Sequence, residues 1–218
     1  MNFGEMVRTG RIGMIELGRS LSPDEAAMIV PGCPEWTIKD VYAHQAGVVA
    51  DAIAGRLEGV ATDPWTARQV EERKGNTLTE VINEWEAGAP TFESFMENGG
   101  PPQVIIDQWT HEQDVRATVA RPGNRNDARA TYCVGALAAM IGERWKGATV
   151  AIVGDSGSWQ LGAGPPALTL TASDYELVRA FLGRRSRRQV LAMEWSGDAE
   201  PVVDHLVVFS FSGDDLVE

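Results

Sequence analysis

Hydrophobic residues recur every three or four positions through the first two thirds of the chain, which is the spacing of one buried helix face. Thr37 with Asp40 resembles the polar pair that begins many helices. Residues 59–76 are rich in Gly, Asp, Pro, Thr and charge, so they predict a connection with a turn of helix around 67–72. The predicted helices cover residues 3–19, 37–57, 77–96, 103–119 and 127–145, with a short one that begins within 20–25.

The pattern changes beyond residue 147, where short β-branched or alternating runs replace the helical spacing. The segments concerned are strands at 149–153, 158–161 and 167–172, a helix at 173–182, and apolar runs at 190–195 and 207–211 that end in a terminal strand. We therefore predict an α plus α+β protein, with a four-helix bundle over residues 1–147 and a small α+β domain over residues 148–218.

Composition narrows the class of protein. A chain of 218 residues is long enough for two small domains, and its net charge of −12 argues against sequence-independent binding of nucleic acid. No stretch approaches the roughly 20 apolar residues of a membrane helix, and the N-terminus lacks a signal peptide. Cys33 and Cys133 lie far apart, which predicts reduced thiols in a cytoplasmic protein. The basic run at 184–188 is open to two interpretations, a solvated loop or a site for an anionic ligand.

The candidate chemistry lies in the predicted helix at 103–119. Asp107 and His111 are four residues apart, so their side chains share one helix face and suit one metal ion. An exposed polar helix face gives the same pattern, and it does so more often than a metal site. A second histidine, His44, falls on the inward stripe of another helix, between Val41 and Val48. The alternative for His44 is a core histidine that is hydrogen-bonded to a carbonyl or carboxylate.

Together, the two imidazoles and the carboxylate would give a divalent metal three protein ligands and leave a position open. An open position is typical of a catalytic site, where a metal acts as a Lewis acid or activates a bound water or thiol. Asp114 and Glu112 are the candidates to accept the second N–H of an imidazole ligand. Arg116 would pair with one of them or face a ligand. His205 is interpreted as a surface histidine and is left out of the site.

Two stretches resemble a known family. Cys33–His44, which reads CPEWTIKDVYAH, and Asp107–Arg116, which reads DQWTHEQDVR, resemble motifs of the mycothiol-dependent maleylpyruvate isomerase family of actinobacteria. The resemblance implies a DinB-like four-helix bundle as the N-terminal domain. Residues 182–185 and 195–198 are similar to the small C-terminal domain of that family, which is related in shape to sterol carrier proteins.

Carried over residue by residue, the resemblance implies that His44, Asp107 and His111 bind a divalent metal, with zinc favoured over nickel or manganese. Water and a low-molecular-weight thiol, mycothiol, would share the open positions. The characterised isomerase has glutamate where this chain has Asp107, and the shorter side chain puts the same geometry and metal in doubt. Arg184 and Arg185 match a feature of the C-terminal domain, which implies that one of them is a catalytic residue in the cleft between domains.

The resulting hypothesis is an enzyme, a metal-dependent and mycothiol-dependent transferase or isomerase for a small electrophilic or organic-acid substrate. The alternative is a non-catalytic protein that binds a metal or a small ligand, and a structural partner in a larger assembly is a third possibility. The expected partners are a small-molecule substrate and a low-molecular-weight thiol, with no nucleic acid and no membrane. The chain is expected to be a monomer or a homodimer.

Overall fold

The computed structural model describes residues 2–218, which form two compact units, with the boundary along the chain between Gly123 and Asn124. The first unit contains α1 (Phe3–Arg19), α2 (Pro23–Ala26), β1 (Ile29–Val30), β2 (Cys33–Thr37), α3 (Ile38–Ala54), α4 (Asp63–Glu72), α5 (Leu78–Glu97) and α6 (Gln103–Thr118). The second contains α7 (Ala128–Glu143), β3 (Val150–Val153), β4 (Ser158–Leu161), β5 (Leu168–Thr171), α8 (Asp174–Phe181), α9 (Arg187–Leu191) and β6 (Glu194–Trp195).

The four long helices of the first unit, α1, α3, α5 and α6, form the predicted bundle. Helix α3 packs on α5, α1 packs on both α5 and α6, and α3 also contacts α6. Tyr42 is fully buried between them, and its hydroxyl donates to the carbonyl oxygen of Met14 at 2.6 Å, so the polar tip has a partner. The predicted fold class, a helical bundle followed by a small α+β domain, is confirmed.

Local sequence signals set the ends of α3. Thr37 accepts from the backbone N–H of Asp40, and the Asp40 carboxylate accepts from the backbone N–H of Thr37. This reciprocal pair satisfies two amide groups that the first turn would otherwise leave without partners. The helix ends at Gly55, whose φ of 69° is the left-handed conformation that glycine adopts at little cost. The observed end therefore lies before the predicted end at residue 57.

The connection predicted at 59–76 contains more helix than the single turn expected at 67–72. Residues Asp63–Glu72 form α4, which includes that turn, begins with Pro64 in its first turn and packs on α3. Trp65 and Gln69 are buried there, at 7% and 0% exposure. The polar composition concealed this helix, because only two of its side chains reach the interior and its stability comes from that docking.

Gly47 on α3 lies directly against Gln69 on α4. A Cβ atom added at Gly47 would lie 2.5 Å from the Gln69 Cβ and 2.6 Å from its Cγ. We expect Gly47→Ala to lower the free energy of unfolding of the first unit by about 1–3 kcal/mol, because overpacking outweighs the better helix propensity of alanine.

Urea unfolding would measure this effect, with Gly75→Ala as the matched control. A Cβ at Gly75 would meet no atom of residues 2–218 within 4 Å, apart from its immediate chain neighbours. Equal midpoints for the two variants would contradict the prediction.

The second unit is built on a mixed four-stranded sheet in the order β4-β3-β5-β6. Strands β3 and β5 run parallel, and the other two pairs are antiparallel. Helix α7 contacts α8 and β4, so it belongs to this unit and not to the bundle. The predicted boundary near residue 147 therefore falls inside the second unit. The buried stripe of α7, which includes Val134, Leu137 and Ile141, has the same spacing in either setting.

The last quarter of the chain differs from the predicted pattern. The run at 190–195 is divided between the end of α9 and the short strand β6, and a turn of 3₁₀-helix follows at Val203–His205. Residues 207–211, all of which the structure describes, do not form the predicted strand. The backbone amide of Val208 nevertheless donates a hydrogen bond to the carbonyl oxygen of Phe181 at 2.7 Å. None of the helices in residues 2–218 combines the length and apolar character that crossing a bilayer requires.

Candidate metal centre

The structure brings the three predicted ligands together in the first unit. His44 comes from the middle of α3, and Asp107 and His111 come from adjacent turns of α6. Asp107 Oδ1 lies 3.2 Å from His44 Nε2 and 3.5 Å from His111 Nε2, and one donor atom from each residue lies within 4.8 Å of the others. Ligand atoms about 2.0–2.1 Å from a tetrahedral zinc ion are about 3.3 Å apart, so these separations fit one ion.

A chain of side chains fixes which nitrogen of His44 is available. The Asp51 carboxylate is fully buried and only accepts, so it takes a hydrogen bond from the Gln69 amide nitrogen at 2.8 Å. The Gln69 amide oxygen must then face His44 Nδ1, which it does at 2.8 Å, and Nδ1 carries the proton. This leaves His44 Nε2 directed at Asp107, as in the partner arrangement that orients most histidine ligands of metals.

Asp107 is oriented in the same way. The Gln45 amide nitrogen donates to Asp107 Oδ2 at 2.7 Å, which leaves Oδ1 towards the two imidazoles. Burial alone would raise the pKa of the Asp107 carboxyl, but the charges of His44 and His111 and the Gln45 hydrogen bond hold that pKa well below its usual value. Burial alone would lower the pKa of His44. The carboxylate of Asp107 outweighs the effect of burial, and the pKa of His44 is therefore raised. The cluster is therefore arranged to hold a positive charge beside the Asp107 carboxylate.

An aromatic wall covers the imidazoles. The Trp36 ring lies 5.2 Å from the His44 ring and 5.7 Å from the His111 ring, centroid to centroid, and Trp65 lies edge-on to His44 at 6.4 Å. His44 and His111 are 2% and 8% exposed, whereas the Asp107 side chain is 35% exposed. Water and a small ligand therefore have access to the centre on the Asp107 side.

The two carboxylates predicted to accept from an imidazole ligand, those of Asp114 and Glu112, make different contacts. Asp114 Oδ2 lies 3.4 Å from His111 Nδ1, so this carboxylate does face the ring. Glu112 is fully buried and accepts from Arg116 Nε at 2.8 Å, which makes Arg116 a partner of Glu112. Of the two candidates, Asp114 has the position of an outer partner of His111.

Three residues of this centre were not predicted from the sequence. Gln69 lies in the connection predicted at 59–76, within its predicted turn of helix, and neither Gln69 nor Gln45 nor Trp36 was assigned a role. Two buried glutamine side chains on α3 and α4 are the feature that could have indicated them, since a buried amide needs partners. Gln69 becomes a neighbour of His44 because α4 is a helix that packs on α3.

The predicted catalytic arginines lie in the second unit. Arg185 is 5% exposed and pairs with Glu176 and with Glu218, each at 2.7 Å. Arg184 Nη1 lies 3.4 Å from the carbonyl oxygen of Leu182. A catalytic role for Arg184 or Arg185 remains a prediction.

The basic run at 184–188 is solvated only in part, because Arg185 is buried whereas the Arg188 side chain is exposed. Arg187 pairs with Glu200 and Asp204, and Arg188 pairs with Asp215, so carboxylates of the same unit take up these charges. His205 is exposed and packs edge-on to Trp145, which agrees with the interpretation that it is a surface residue.

Two crystal structures resemble this chain. One is of a mutant form of the mycothiol-dependent maleylpyruvate isomerase, with a TM-score of 0.55 and 10% sequence identity, and it covers 84% of this chain and 88% of that chain. The other is of the mycothiol-dependent maleylpyruvate isomerase, with a TM-score of 0.53, 13% identity and the same coverage. At these identities the likeness establishes the fold. No curated protein sequence matches the chain.

The family model described as the mycothiol maleylpyruvate isomerase N-terminal domain matches residues 7–122. That range contains the bundle from the second turn of α1 to the end of α6, and all three residues of the candidate centre. Since the match extends over more than half of the chain, the protein belongs to the family of the mycothiol maleylpyruvate isomerase N-terminal domain.

Proposed function

We propose that the chain is a metal-dependent, mycothiol-dependent isomerase or transferase, with His44, Asp107 and His111 as the ligands of a divalent ion. The observation that carries the proposal is the chain of hydrogen bonds from Asp51 through Gln69 to His44. It commits two buried side chains to presenting one imidazole nitrogen towards Asp107. A core histidine would need a single acceptor, and it would not need a second histidine and a carboxylate opposite its other nitrogen.

The donor set favours zinc. Two imidazole nitrogens and one carboxylate oxygen suit Zn²⁺, and three protein ligands leave the open position that catalytic zinc sites keep. Nickel and manganese accept the same donors, so coordination geometry and metal availability, more than raw affinity, decide the natural occupant. The Asp107 side chain reaches both imidazoles here, so its length suits this pair of helices.

The chemistry follows from a thiol at the open position. When bound, the ion would lower the pKa of a coordinated thiol, so that thiolate is present at neutral pH. Such a nucleophile can isomerise a conjugated cis double bond by reversible addition. Addition of the thiolate to one alkene carbon turns the double bond into a single bond, rotation follows, and elimination returns the thiolate with the trans product. A transferase would retain the new carbon–sulfur bond, with a proton delivered to the adjacent carbon.

The residues of this chain would hold and shield the reacting group. Gln69 orients His44, and Gln45 orients Asp107, so neither ligand has to reorganise during turnover. Trp36 covers both imidazoles and excludes water from one side. The exposed side of Asp107 is where a thiol and a small electrophile would enter.

The proposal is tested by an activity assay on zinc-loaded protein with mycothiol and maleylpyruvate. We expect isomerisation that needs both zinc and the thiol and that stops when a chelator strips the ion. Zinc binding without any thiol-dependent turnover, for this substrate or for a panel of small electrophiles, would refute the enzyme and favour a metal-binding protein. Turnover by chelator-treated protein would refute the role of the metal.

A substitution at Gln69 tests whether the orientation of His44 matters for zinc binding, without removing a ligand. We expect Gln69→Leu to weaken zinc binding by about 10–100-fold, because His44 Nδ1 loses the acceptor that fixes its tautomer. Competition with a chromophoric chelator would measure the change. Gln103→Leu is the matched control, since Gln103 is exposed at the start of α6. Unchanged affinity in Gln69→Leu would mean that His44 does not depend on this hydrogen bond.

A further inference from the structure

A second group of donor atoms adjoins the candidate centre on the far side of His111. It consists of Cys33 on β2 together with His111 and Asp114, which are one turn apart on α6. Asp114 Oδ2 lies 3.7 Å from Cys33 Sγ and 3.4 Å from His111 Nδ1, and the three donor atoms lie within 4.8 Å of one another. Sulfur, nitrogen and oxygen donors thus converge on one point.

His111 supplies an independent indication of a ligand there. Its residue is 8% exposed, and Nδ1 is a buried atom that makes no hydrogen bond of normal geometry to any of residues 2–218. A buried polar atom without a hydrogen bond costs about 1–3 kcal/mol, so such atoms are rare unless something else meets them. The Asp114 carboxylate faces this nitrogen, although the angle does not suit a hydrogen bond.

We propose that Cys33, His111 Nδ1 and Asp114 form a second metal position, for a thiophilic ion of the Zn²⁺ or Cu⁺ class. In a tetrahedral site with Zn–S of about 2.3 Å and Zn–N or Zn–O of about 2.0 Å, neighbouring sulfur and oxygen are about 3.5 Å apart, and nitrogen and oxygen are about 3.3 Å apart. The observed 3.7 Å and 3.4 Å match these separations. A thiolate ligand disfavours Mg²⁺ and Ca²⁺, which prefer oxygen.

The imidazole of His111 would then serve two ions. Its Nε2 faces Asp107, and its Nδ1 faces Asp114. Filling the second position releases the proton of the Cys33 thiol to solvent, and filling both positions releases the remaining ring N–H proton, so the ring bridges as an imidazolate. No electron is transferred in either step. Cys33 is half-buried on β2, so its thiol is not sealed in the core.

The second position borders the proposed active centre but does not need thiol-dependent turnover to exist. It rests on the proposed function only in that both use His111. Cys33 belongs to the second position alone, and His44 belongs to the first alone. Variants of these two residues therefore separate failure of one proposal from failure of the other.

The test is a Co²⁺ titration of chelator-treated full-length protein, followed by equilibrium dialysis and absorption. We expect about two equivalents of Co²⁺ and a near-ultraviolet charge-transfer band from thiolate to cobalt. Cys33→Ser should bind about one equivalent and lose the band, and Asp114→Asn should weaken the band. His44→Ala should lose one equivalent and keep the band. Cys133→Ser is the matched control, because this other thiol is fully buried in the second unit, and it should change neither readout.

Two outcomes overturn the proposal. They are a parent protein that binds one equivalent without a thiolate band, and a band that persists in Cys33→Ser. The first of these leaves the His44, Asp107 and His111 site intact. A parent that binds only one equivalent, with a band that survives in His44→Ala, would support the Cys33 position and overturn the site that contains His44. Circular dichroism of each metal-free variant distinguishes a lost ligand from a lost fold.

Discussion

His111→Ala is expected to remove tightly bound metal from the protein and to abolish thiol-dependent turnover. The ring supplies Nε2 to the centre with His44 and Asp107, and it faces Asp114 through Nδ1. Loss of an outer partner costs about 10–100-fold in metal affinity, and loss of a ligand that lies between two carboxylates should exceed that range. His44→Ala should likewise abolish turnover, because it removes the second imidazole of the same centre.

Elemental analysis of protein purified without a histidine tag or chelator would measure the effect. His205→Ala is the matched control, since this third histidine is exposed in the second unit and should leave the metal content unchanged. A second readout is thermal: zinc should raise the melting temperature of the parent and of His205→Ala, but not that of His111→Ala. Full metal content in His111→Ala would contradict the site, and His44 would then be a core histidine.

Glu218→Ala is expected to cost about 3–5 kcal/mol of the stability of the second unit, the second-largest effect we anticipate. The Glu218 side chain is 4% exposed and accepts from Tyr175 at 2.8 Å, from Arg179 Nε at 2.9 Å and from Arg185 Nη1 at 2.7 Å. Arg179 and Arg185 are 0% and 5% exposed, so removal of this carboxylate takes a partner from two buried guanidinium groups. Hydrogen exchange of the α8 amides would report the loss. Val217→Ala is the control, because that side chain is 93% exposed and should have no effect.

The ion pairs of Glu218 with Arg179 and Arg185 make a pH-dependent contribution to the stability of the second unit. Burial by itself would raise the pKa of the Glu218 carboxyl, but Arg179 and Arg185 outweigh it and hold the pKa below its ordinary value of 4.5. A carboxyl whose pKa is lowered by folding stabilises the protein above the unfolded pKa, and this contribution is lost as the pH falls through the folded value. The stability difference between the parent and Glu218→Gln should therefore be constant near neutral pH and shrink below about pH 4.5. A difference that does not change down to the acid unfolding transition would contradict this account.

These results would also bear on the predicted role of Arg185. Its guanidinium already holds two carboxylates, those of Glu176 and Glu218, so a substrate carboxylate would have to compete with both. If Glu218→Ala proved stable and active, the arginine would be available to a ligand, and the carry-over from the family would gain support. A large loss of stability would show that the pairs of Glu218 with Arg179 and Arg185 stabilise the second unit.

The sequence by itself determined the helices of the bundle and the identity of the candidate ligands. Periodicity and caps are local, so Thr37 and Asp40 set the start of α3 wherever the helix packs. The four-residue spacing of Asp107 and His111 places them on one face of α6 for the same reason. The inward position of His44 on another helix suggested its combination with them, and the resemblance to a family supported it, since no local rule connects residues that are 63 positions apart.

Only the tertiary structure decided which groups contact the candidate ligands and the helices. Gln69 contacts His44 because α4 docks on α3 at Gly47, and this docking depends on two buried side chains in a segment with the composition of a loop. The apolar stripe of α7 would suit a bundle or a sheet, and the presence of α8 and β4 beside it decided the choice. Spacing along a helix determines which side chains share a face, but the group that meets that face depends on how distant segments pack, and here that packing orients the candidate metal ligands.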